Sequence, residues 1–272
     1  MMIMISRIKH ILPKSSARLS KQLYLWARGI FYAGEKFDCN VCNRSFRKML
    51  QGGFNLPVIS KMEIVGAGVR NHICPYCQST DRDRLVQLFL DKSYKIANKK
   101  IKILHIAPEP ALYKRLSKLK NIDYVPATKY HEGIYYADDI TIVDITDMHF
   151  NDGEFDMIIC NHVLEHIDND QLAFTEIFRV LRNGGTAILQ VPYSNLLDKT
   201  YEDPSMNTVK LREEHFGQFD HVRLYGTDYP QKLEDIGFNL NLFDPVDVLE
   251  KKEINKLSFF EGEKLFVATK PL

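Results

Sequence analysis

The sequence lacks any run of about 18 uninterrupted apolar residues, the length of a membrane-spanning helix, so we expect no such helix. A secretory signal is also missing. The apolar start, MMIMISRIKHILPK, is interrupted by Arg7 and Lys9, and no small-residue cleavage site follows it. Both absences predict a cytoplasmic protein.

A strong overall charge is absent as well. The 36 basic and 35 acidic residues leave a formal net charge of +1, which gives no general reason to expect nucleic acid or a highly acidic partner. The length of 272 residues and the apolar fraction of 45% suit one α/β domain with a small accessory module.

Residues 1–34 nevertheless hold six cations and no acid. Leu19, Leu23, Trp26 and Ile30 recur there at helical spacing. The segment is either a helix that packs on its own protein or a helix at the inner face of an anionic membrane, and its composition leaves an organelle transit peptide open. The six cations are Arg7, Lys9, Lys14, Arg18, Lys21 and Arg28.

Cysteine is scarce, yet four of the five cysteines form two C-x-x-C pairs, Cys39 with Cys42 and Cys74 with Cys77. Paired spacing without a secretory signal favours a metal site over disulfides. Four thiolates suit tetrahedral zinc, whereas a redox role is the alternative for a single pair. We predict a structural zinc ribbon over residues 35–80, closed to catalysis because all four positions are filled.

Two details of this module depart from common patterns. The residues after each pair are Asn43 and Gln78, where glycine is usual because the turn needs a left-handed backbone. Gly66-x-Gly68 resembles a nucleotide-binding loop, but no helix follows it before the second cysteine pair. We interpret this GxG sequence as a turn inside the ribbon hairpin.

Strands and helices alternate from residue 101 onward. A helix over 81–94, capped by Ser79 or Thr80, precedes them. The alternation implies βαβ units, a largely parallel sheet and helices on both of its faces. Seven strands are predicted, at 101–107, 122–127, 140–145, 155–161, 184–193, 239–245 and 264–270, with helices at 110–120, 170–182 and 227–238, and residues 182–185 as a turn into the fifth strand.

The segments ILHIAPEP, VDITDMHFNDGEFDMIICNHVLEHIDND, FRVLRNGGTAILQVPYS and DIGF occur in this order. Together they resemble the class I S-adenosylmethionine-dependent methyltransferases, and within these the type 11 group. The resemblance implies a Rossmann-like, seven-stranded, mostly parallel sheet over residues 81–272. It also implies S-adenosylmethionine as cofactor.

The resemblance also implies which residues contact the cofactor. In such a sheet, ligands bind beyond the carboxyl ends of the strands, where the strand order reverses. Three of the positions depart from the family. His105 and Ala107 stand where an acid and a glycine are usual, and Thr128 is the nearest polar residue to the acid that usually binds the ribose. For Asp144, whose family role is to contact the adenine, a turn cap is the alternative. The implied contacts are His105, Ala107, Glu109, Thr128, Asp144, Ile145, Asn161 and His162.

His162 and His166 are four residues apart and have the spacing of a metal-binding HxxxH pair. The sequence offers no further ligand for such a pair. We therefore interpret Glu165 and His166 as supports of the loop after the fourth strand.

The segment 212–226 lies where class I methyltransferases commonly insert a lid that binds the acceptor. It holds His215 and His221, our candidates for the catalytic base because imidazole is suited to proton transfer near pH 7. Asp220 either orients an imidazole or acts itself, and Arg223 is a candidate to hold an anionic acceptor. The alternative is a structural loop held by salt bridges.

The expected function is O-methylation of a glycan or another hydroxyl-bearing acceptor, since relatives of this type resemble enzymes of cell-surface polysaccharide assembly. An RNA base methyltransferase is one alternative, although residues 35–100 lack the basic stripe with stacking aromatics that RNA binding favours. A non-catalytic binding protein is the other, supported by the missing glycines of the first loop. Peripheral membrane contact through residues 1–34 is a further expectation.

Overall fold

The computed structural model describes residues 14–129 and 140–272, with side chains from residue 18 onward. Arg7, Lys9 and the rest of residues 1–13 lie outside this range. The first described helix is α1 (Lys14–Phe31). Among the described residues, no helix is both long and apolar enough to cross a bilayer.

The cysteine module (residues 33–80) is built from short antiparallel pairs. Strand β1 (Ala33–Cys39) pairs with β2 (Arg44–Phe46), and β3 (Leu50–Gly52) pairs with a strand that follows residue 69. Between them lies a segment that we call the insert (residues 53–69). The remaining elements of the module are α2 (Pro57–Lys61), β4 (Ile64–Val65) and β5 (Arg70–Ile73), the partner of β3.

The rest of the chain alternates strands and helices around a large sheet. The elements that build its first half are α3 (Asp81–Lys92), β6 (Ile101–Ile106), α4 (Pro110–Leu116), β7 (Ile122–Thr128), β8 (Thr141–Ile142) and β9 (Phe155–Asn161). Those of its second half are α5 (Asp170–Val180), β10 (Leu181–Gln190), β11 (Tyr193–Ser194), β12 (Tyr201–Glu202), α6 (Val209–Phe216), β13 (Arg223–Leu224), α7 (Tyr229–Ile236), β14 (Asn239–Phe243), α8 (Lys251–Leu257) and β15 (Leu265–Thr269).

The sheet has seven strands in the order β14-β15-β10-β9-β6-β7-β8. Pairing is parallel from β10 to β8, and β15 is antiparallel to both of its neighbours. The order reverses between β6 and β9, which makes their carboxyl ends the switch point where a ligand binds in folds of this kind. The predicted α/β, Rossmann-like fold is confirmed.

Successive residues of the central strands point to opposite faces, as the pleat requires. On one face, Ile158 and Cys160 of β9 pack with α5 and α7. On the other, Met157 and Ile159 pack with α3, α4 and buried side chains of the cysteine module. The cysteine module therefore shares a hydrophobic core with the sheet and does not form a separate packing unit.

Helix α3 joins the two parts. Thr80 caps it, accepting from the amide of Asp83 while the Asp83 carboxylate accepts from the Thr80 amide, as a capping box does. The fully buried Arg84 donates to the carbonyls of Leu257, Ser258 and Ser79 at 2.7–3.2 Å. These bonds connect the second cysteine pair to the C-terminal part of the chain.

Three local predictions differ from the structure. Residues 182–185 are not a turn before the fifth strand, because β10 already starts at Leu181. They form an irregular stretch within β10, where its register with β9 shifts and Gly184 has φ of 71°. The third strand is shorter than predicted, being confined to Thr141–Ile142. The GxG sequence is not a turn within the ribbon hairpin alone. It directly follows β4, which pairs outside the cysteine module with β11.

Candidate functional site

The four paired cysteines converge on one point. The Sγ atoms of Cys39 and Cys77 are 3.6 Å apart, those of Cys42 and Cys74 are 3.8 Å apart, and all four lie within 4.8 Å of one another. Zn–S bonds of about 2.3 Å in a tetrahedron put the sulfurs about 3.8 Å apart. All four are free thiols, not disulfides. The arrangement fits a four-thiolate zinc ion.

The two knuckle turns adopt the backbone that such a site needs. Asn43 and Gln78 have φ of 54° and 66°, in the left-handed region that glycine usually supplies. Asparagine and glutamine therefore replace glycine here without changing the path of the chain. Ser79 adds a hydroxyl 3.2 Å from the Cys39 sulfur and 3.1 Å from that of Cys77.

At the switch point, the loop after β6 meets the end of β9. Ala107 has φ of 46°, the left-handed conformation expected of the glycine that the family usually has here. Glu109 accepts from Asn161 Nδ2 at 2.5 Å, and its Oε2 lies 3.1 Å from Nε2 of the buried His105. Glu109, Asn161 and His105 thus form one connected group, whose His105 also contacts the Tyr124 hydroxyl.

The other predicted cofactor residues follow along the same sheet edge. Thr128 is buried at the end of β7, and Ile145 is buried after β8. Asp144 is half-exposed, accepts from the Thr146 amide and hydroxyl, and forms an ion pair with Lys129 at 2.8 Å. The Lys129 ammonium and the bonds from Thr146 lower the pKa of the Asp144 carboxyl to about 2. Asp144 is thus an anion that also acts as a local turn cap.

A cavity of about 260 Å³ opens beside this edge. Its walls come from the insert, the start of α3, the loop after β9 and the segment 197–226, which we call the lid. The insert and lid share a small core of Ile59, Ile64, Phe216 and Leu224. The lid is itself held by the antiparallel pair β12–β13.

The guanidinium groups of Arg70 and Arg82 hold the insert against α3. Both donate to the Gly66 carbonyl, at 3.0 Å and 2.5 Å, and Arg70 also forms a bidentate bond with the buried Asp81. Arg70 and Arg82 line the cavity and were not identified from the sequence. The only sequence signal for them is the charged run of residues 81–84 directly after the second cysteine pair.

Three histidines and one carboxylate meet at the cavity. Glu165 Oε1 lies 3.3 Å from His162 Nδ1, 3.9 Å from His221 Nε2 and 4.0 Å from His166 Nε2. Burial and the Arg82 charge lower the pKa of His162 to about 4. Burial disfavours the Glu165 carboxylate, but the bond and charge of His162 and the charges of the other two histidines outweigh it and lower its pKa to about 2.

The predicted catalytic residues lie at different depths. His221 is buried and lines the cavity, and burial lowers its pKa, which favours the neutral imidazole. Asp220 is half-exposed, with its carboxylate 3.4 Å from His166 Nδ1. His215 is not among the residues that line the cavity, and its Nδ1 bonds to the Tyr201 hydroxyl at 3.1 Å.

Arg223 does not have the role that we expected. Its guanidinium is buried, lies 2.9 Å from Glu202, and donates to the carbonyls of Leu164, Ile167 and Asp168. All its directions are taken by the protein, and it is not one of the cavity-lining residues. It braces the lid against the loop after β9, as the structural alternative predicted.

Several buried polar atoms around the switch point and cavity have no hydrogen-bond partner in the protein: Oδ1 of Asp83 and Asn161, Oε2 of Glu165, and Nε2 of His162. Buried polar groups are normally hydrogen-bonded, because an unmade bond costs about 1–3 kcal/mol. Their concentration here fits a polar ligand that spans the switch point and the cavity. It matches the place where the cofactor is expected.

Residues 108–189 match a family model described as a methyltransferase domain. This segment of the chain is a methyltransferase domain. The match confirms the resemblance to the S-adenosylmethionine-dependent methyltransferases that the sequence motifs indicated.

The chain is similar to a curated protein of Methanocaldococcus jannaschii, an uncharacterized protein that is 28% identical over 122 residues, or 43% of this chain. The match spans about half the length of that relative, 56%. Among solved structures, an S-adenosylmethionine-dependent methyltransferase from Archaeoglobus fulgidus is 15% identical, with 69% of this chain and 94% of that chain covered and a TM-score of 0.44. The YcgJ protein from Bacillus subtilis is also 15% identical, with 65% and 96% covered and a TM-score of 0.46.

We expect the four-cysteine cluster to bind one structural zinc ion per chain. Sites of this type stabilise isolated modules by about 10–16 kcal/mol. Because the cysteine module shares a core with the sheet, the Cys42→Ser variant should lose zinc and unfold at a lower temperature as a whole. Metal analysis and calorimetry of the purified protein measure both effects.

The matched control is Cys160→Ala, which removes the fifth thiol from the core below the site. It should keep its full zinc content. A wild-type protein without zinc, together with an unchanged melting temperature for Cys42→Ser, would contradict the expectation.

Proposed function

We propose that this protein transfers a methyl group from S-adenosylmethionine to a hydroxyl group of a glycan or a similar polar acceptor. The observation that carries the proposal is the set of unpartnered buried polar atoms that runs from the switch point into the cavity. The cavity places neutral imidazoles, a carboxylate and guanidinium groups where an acceptor would enter. A lining of this kind suits an acceptor with many hydroxyl groups.

The residues of the sheet edge would hold the cofactor, which supplies an electrophilic methyl group on a sulfonium when bound. Asn161 and Glu109 would hold its amino-acid part, and the left-handed backbone at Ala107 would let the chain approach it closely. Asp144 and Ile145 would contact the adenine, as the family resemblance implies. The protein contributes mainly alignment, which is worth roughly 7–11 kcal/mol in well-oriented reactions.

We expect Asp144→Ala to weaken binding of S-adenosylmethionine by about 1–3 kcal/mol, because the adenine amino group would lose the carboxylate that accepts its hydrogen bond. Isothermal titration calorimetry measures the difference. Asp123→Ala is the control, since Asp123 is an exposed carboxylate near the opposite end of β7 that also pairs with a lysine. Equal affinities for Asp144→Ala and the wild type would remove Asp144 from the adenine site.

The acceptor class is tested by offering the enzyme cofactor with a radiolabelled methyl group and two acceptors, purified surface polysaccharide and total RNA. We expect label in the polysaccharide. Acid hydrolysis of that polysaccharide should release the label as a methylated sugar. Label in RNA alone would establish the base-methyltransferase alternative. Cofactor binding without label in either fraction would instead support a binding protein.

In the same assay, His221→Ala should lower turnover by about 10²–10⁴-fold, the usual contribution of a group that assists proton transfer. His221 presents its Nε2 to the cavity, whereas the His215 ring is engaged with Tyr201. His215→Ala should therefore retain most of the activity. Cofactor affinity measured in parallel separates a catalytic loss from a binding loss. Near-wild-type turnover of His221→Ala would mean that Asp220 removes the proton or that alignment of the two substrates suffices.

We further propose that α1 holds the enzyme at an anionic membrane surface. Its apolar stripe of Leu19, Leu23, Trp26 and Ile30 is more than half exposed, so the described chain does not cover it. Near its end the helix contacts the cysteine module, where Arg28 donates to the Pro75 carbonyl at 2.6 Å and Gly29 packs on Tyr76. Arg18, Lys21 and Arg28 alternate with the residues of this stripe in the sequence.

Each cation near such a surface contributes about 1 kcal/mol. We therefore expect sedimentation with vesicles to depend on the fraction of acidic lipid and to fall at high salt. A double variant, Leu23→Ser with Trp26→Ser, should lose binding, while Val246→Ser, which changes an exposed apolar residue elsewhere, should not. Binding that is indifferent to lipid charge and salt would exclude the proposal.

A further inference from the structure

We propose that Glu165, His166 and His221 bind one divalent transition-metal cation on the wall of the acceptor cavity. This site is separate from the four-cysteine cluster. The role of the cation in holding an acceptor oxygen rests on the proposed function, whereas cation binding itself does not.

The donor atoms of these three residues converge. One oxygen of Glu165 and one ring nitrogen of each histidine lie within 4.8 Å of one another. Bonds of about 2.0–2.2 Å to zinc-like cations place nitrogen and oxygen donors roughly 3 Å apart. Small side-chain rotations therefore bring the three atoms to bonding distance.

Hydrogen bonds on the far side of each ring orient the two imidazoles. His166 Nδ1 faces the backbone carbonyl of Asp220 at 3.3 Å and its carboxylate at 3.4 Å, while His221 Nδ1 faces the Phe216 carbonyl at 3.3 Å. A proton on each Nδ1 leaves each Nε2 as an unprotonated acceptor directed to the cluster. Metal-binding histidines are usually held by a carbonyl or carboxylate in this way.

A purely structural cluster accounts for only one contact of the Glu165 carboxylate. Its Oε1 lies 3.3 Å from His162 Nδ1 but 3.9–4.0 Å from the Nε2 atoms of His166 and His221, which is too far for a hydrogen bond. Its Oε2 has no partner, although the side chain is only 2% exposed. A cation would satisfy this buried carboxylate and both imidazoles together.

The backbone keeps the ligands in place before any cation binds. Glu165 and His166 lie in the turn after β9, while His221 comes from the lid. The Val222 amide donates to the Glu165 carbonyl at 2.9 Å and ties the two segments together. The lid therefore supplies the third ligand that the sequence alone did not reveal.

The donor set suits a particular class of cation. Two imidazoles and one carboxylate favour manganese, iron, cobalt, nickel or zinc over calcium or magnesium. Three protein ligands leave positions open for water or an acceptor oxygen, and a cation at such a position lowers the pKa of the oxygen it binds. In that case His221 acts as a ligand and not as the base.

The test is a titration of the full chain with Mn²⁺, followed by electron paramagnetic resonance and calorimetry, without cofactor or acceptor. The thiolate cluster prefers softer ions, so it is left loaded with zinc. We expect one Mn²⁺ per chain, and an affinity lower by about 100-fold or more in Glu165→Gln, His166→Gln and His221→Gln, since even outer-shell changes cost 10–100-fold. His149→Ala, which removes an exposed histidine outside the cluster, should bind as the wild type does.

Zinc content and melting temperature establish that each variant is folded, and any one folded ligand variant suffices for the comparison. Added Co²⁺ gives a second readout, since this site should show weak visible bands without thiolate charge transfer. No Mn²⁺ or Co²⁺ binding by the wild type, or equal binding by a folded ligand variant, would overturn the site. Binding without methyl transfer would contradict only the proposed function, and undiminished methyl transfer after removal of this cation would contradict its role with the acceptor.

Discussion

The position of residues 43–73 depends on the convergence of four cysteine sulfurs at their two ends. The sulfurs of Cys42 and Cys74 meet at 3.8 Å, so the chain between them must leave the cluster and return to it. On its way it forms the insert, and β4 pairs with β11 of the methyltransferase domain. Since the insert is one wall of the cavity, a cluster that contributes no residue to the cavity lining still affects the shape of the cavity.

Buried charges complete this arrangement. Arg70 and Arg82 converge on the Gly66 carbonyl, and Asp81 neutralises Arg70. Glu263, from the C-terminal part of the chain, is buried nearby, and burial together with the Asp81 charge raises its pKa to about 7. Buried charges cost stability when a partner is missing, so this set favours one placement of the insert against α3. Gly66 is suited to this place because a side chain there would meet the Glu263 carboxylate at 2.9 Å.

The end of β9 is where the two halves of the site meet. Asn161 faces the sheet edge and bonds to Glu109, while the next residue, His162, has φ of 55° and lies in the cavity. The change of backbone direction at His162 separates the cofactor side from the acceptor side over a single residue. The insert, the lid and the end of β9 thus meet at one cavity.

Much of the fold was determined by the sequence itself. The alternation of apolar strands with helices specified the seven-stranded sheet, because the spacing of apolar residues shows which face of each strand or helix is buried. The cap of α3 depends on neighbours within a few residues, and the sequence limited it to Ser79 or Thr80, of which the structure has Thr80. The left-handed turns at Asn43 and Gln78 could also be placed, since the knuckle geometry demands them.

Only the tertiary structure decided how distant segments combine into a site. His221 is 55 residues from His166, and no local pattern indicates that their rings meet across Glu165. The wall that Gly66 and Arg82 provide depends on the pairing of β4 with β11, a contact between segments more than 100 residues apart. Arginine is a residue type common in ligand-binding sites, yet Arg223 is buried against the loop after β9 and has a structural role. Local propensity encodes helices, strands and caps, whereas the cavity arises from long-range packing, which a single sequence does not display.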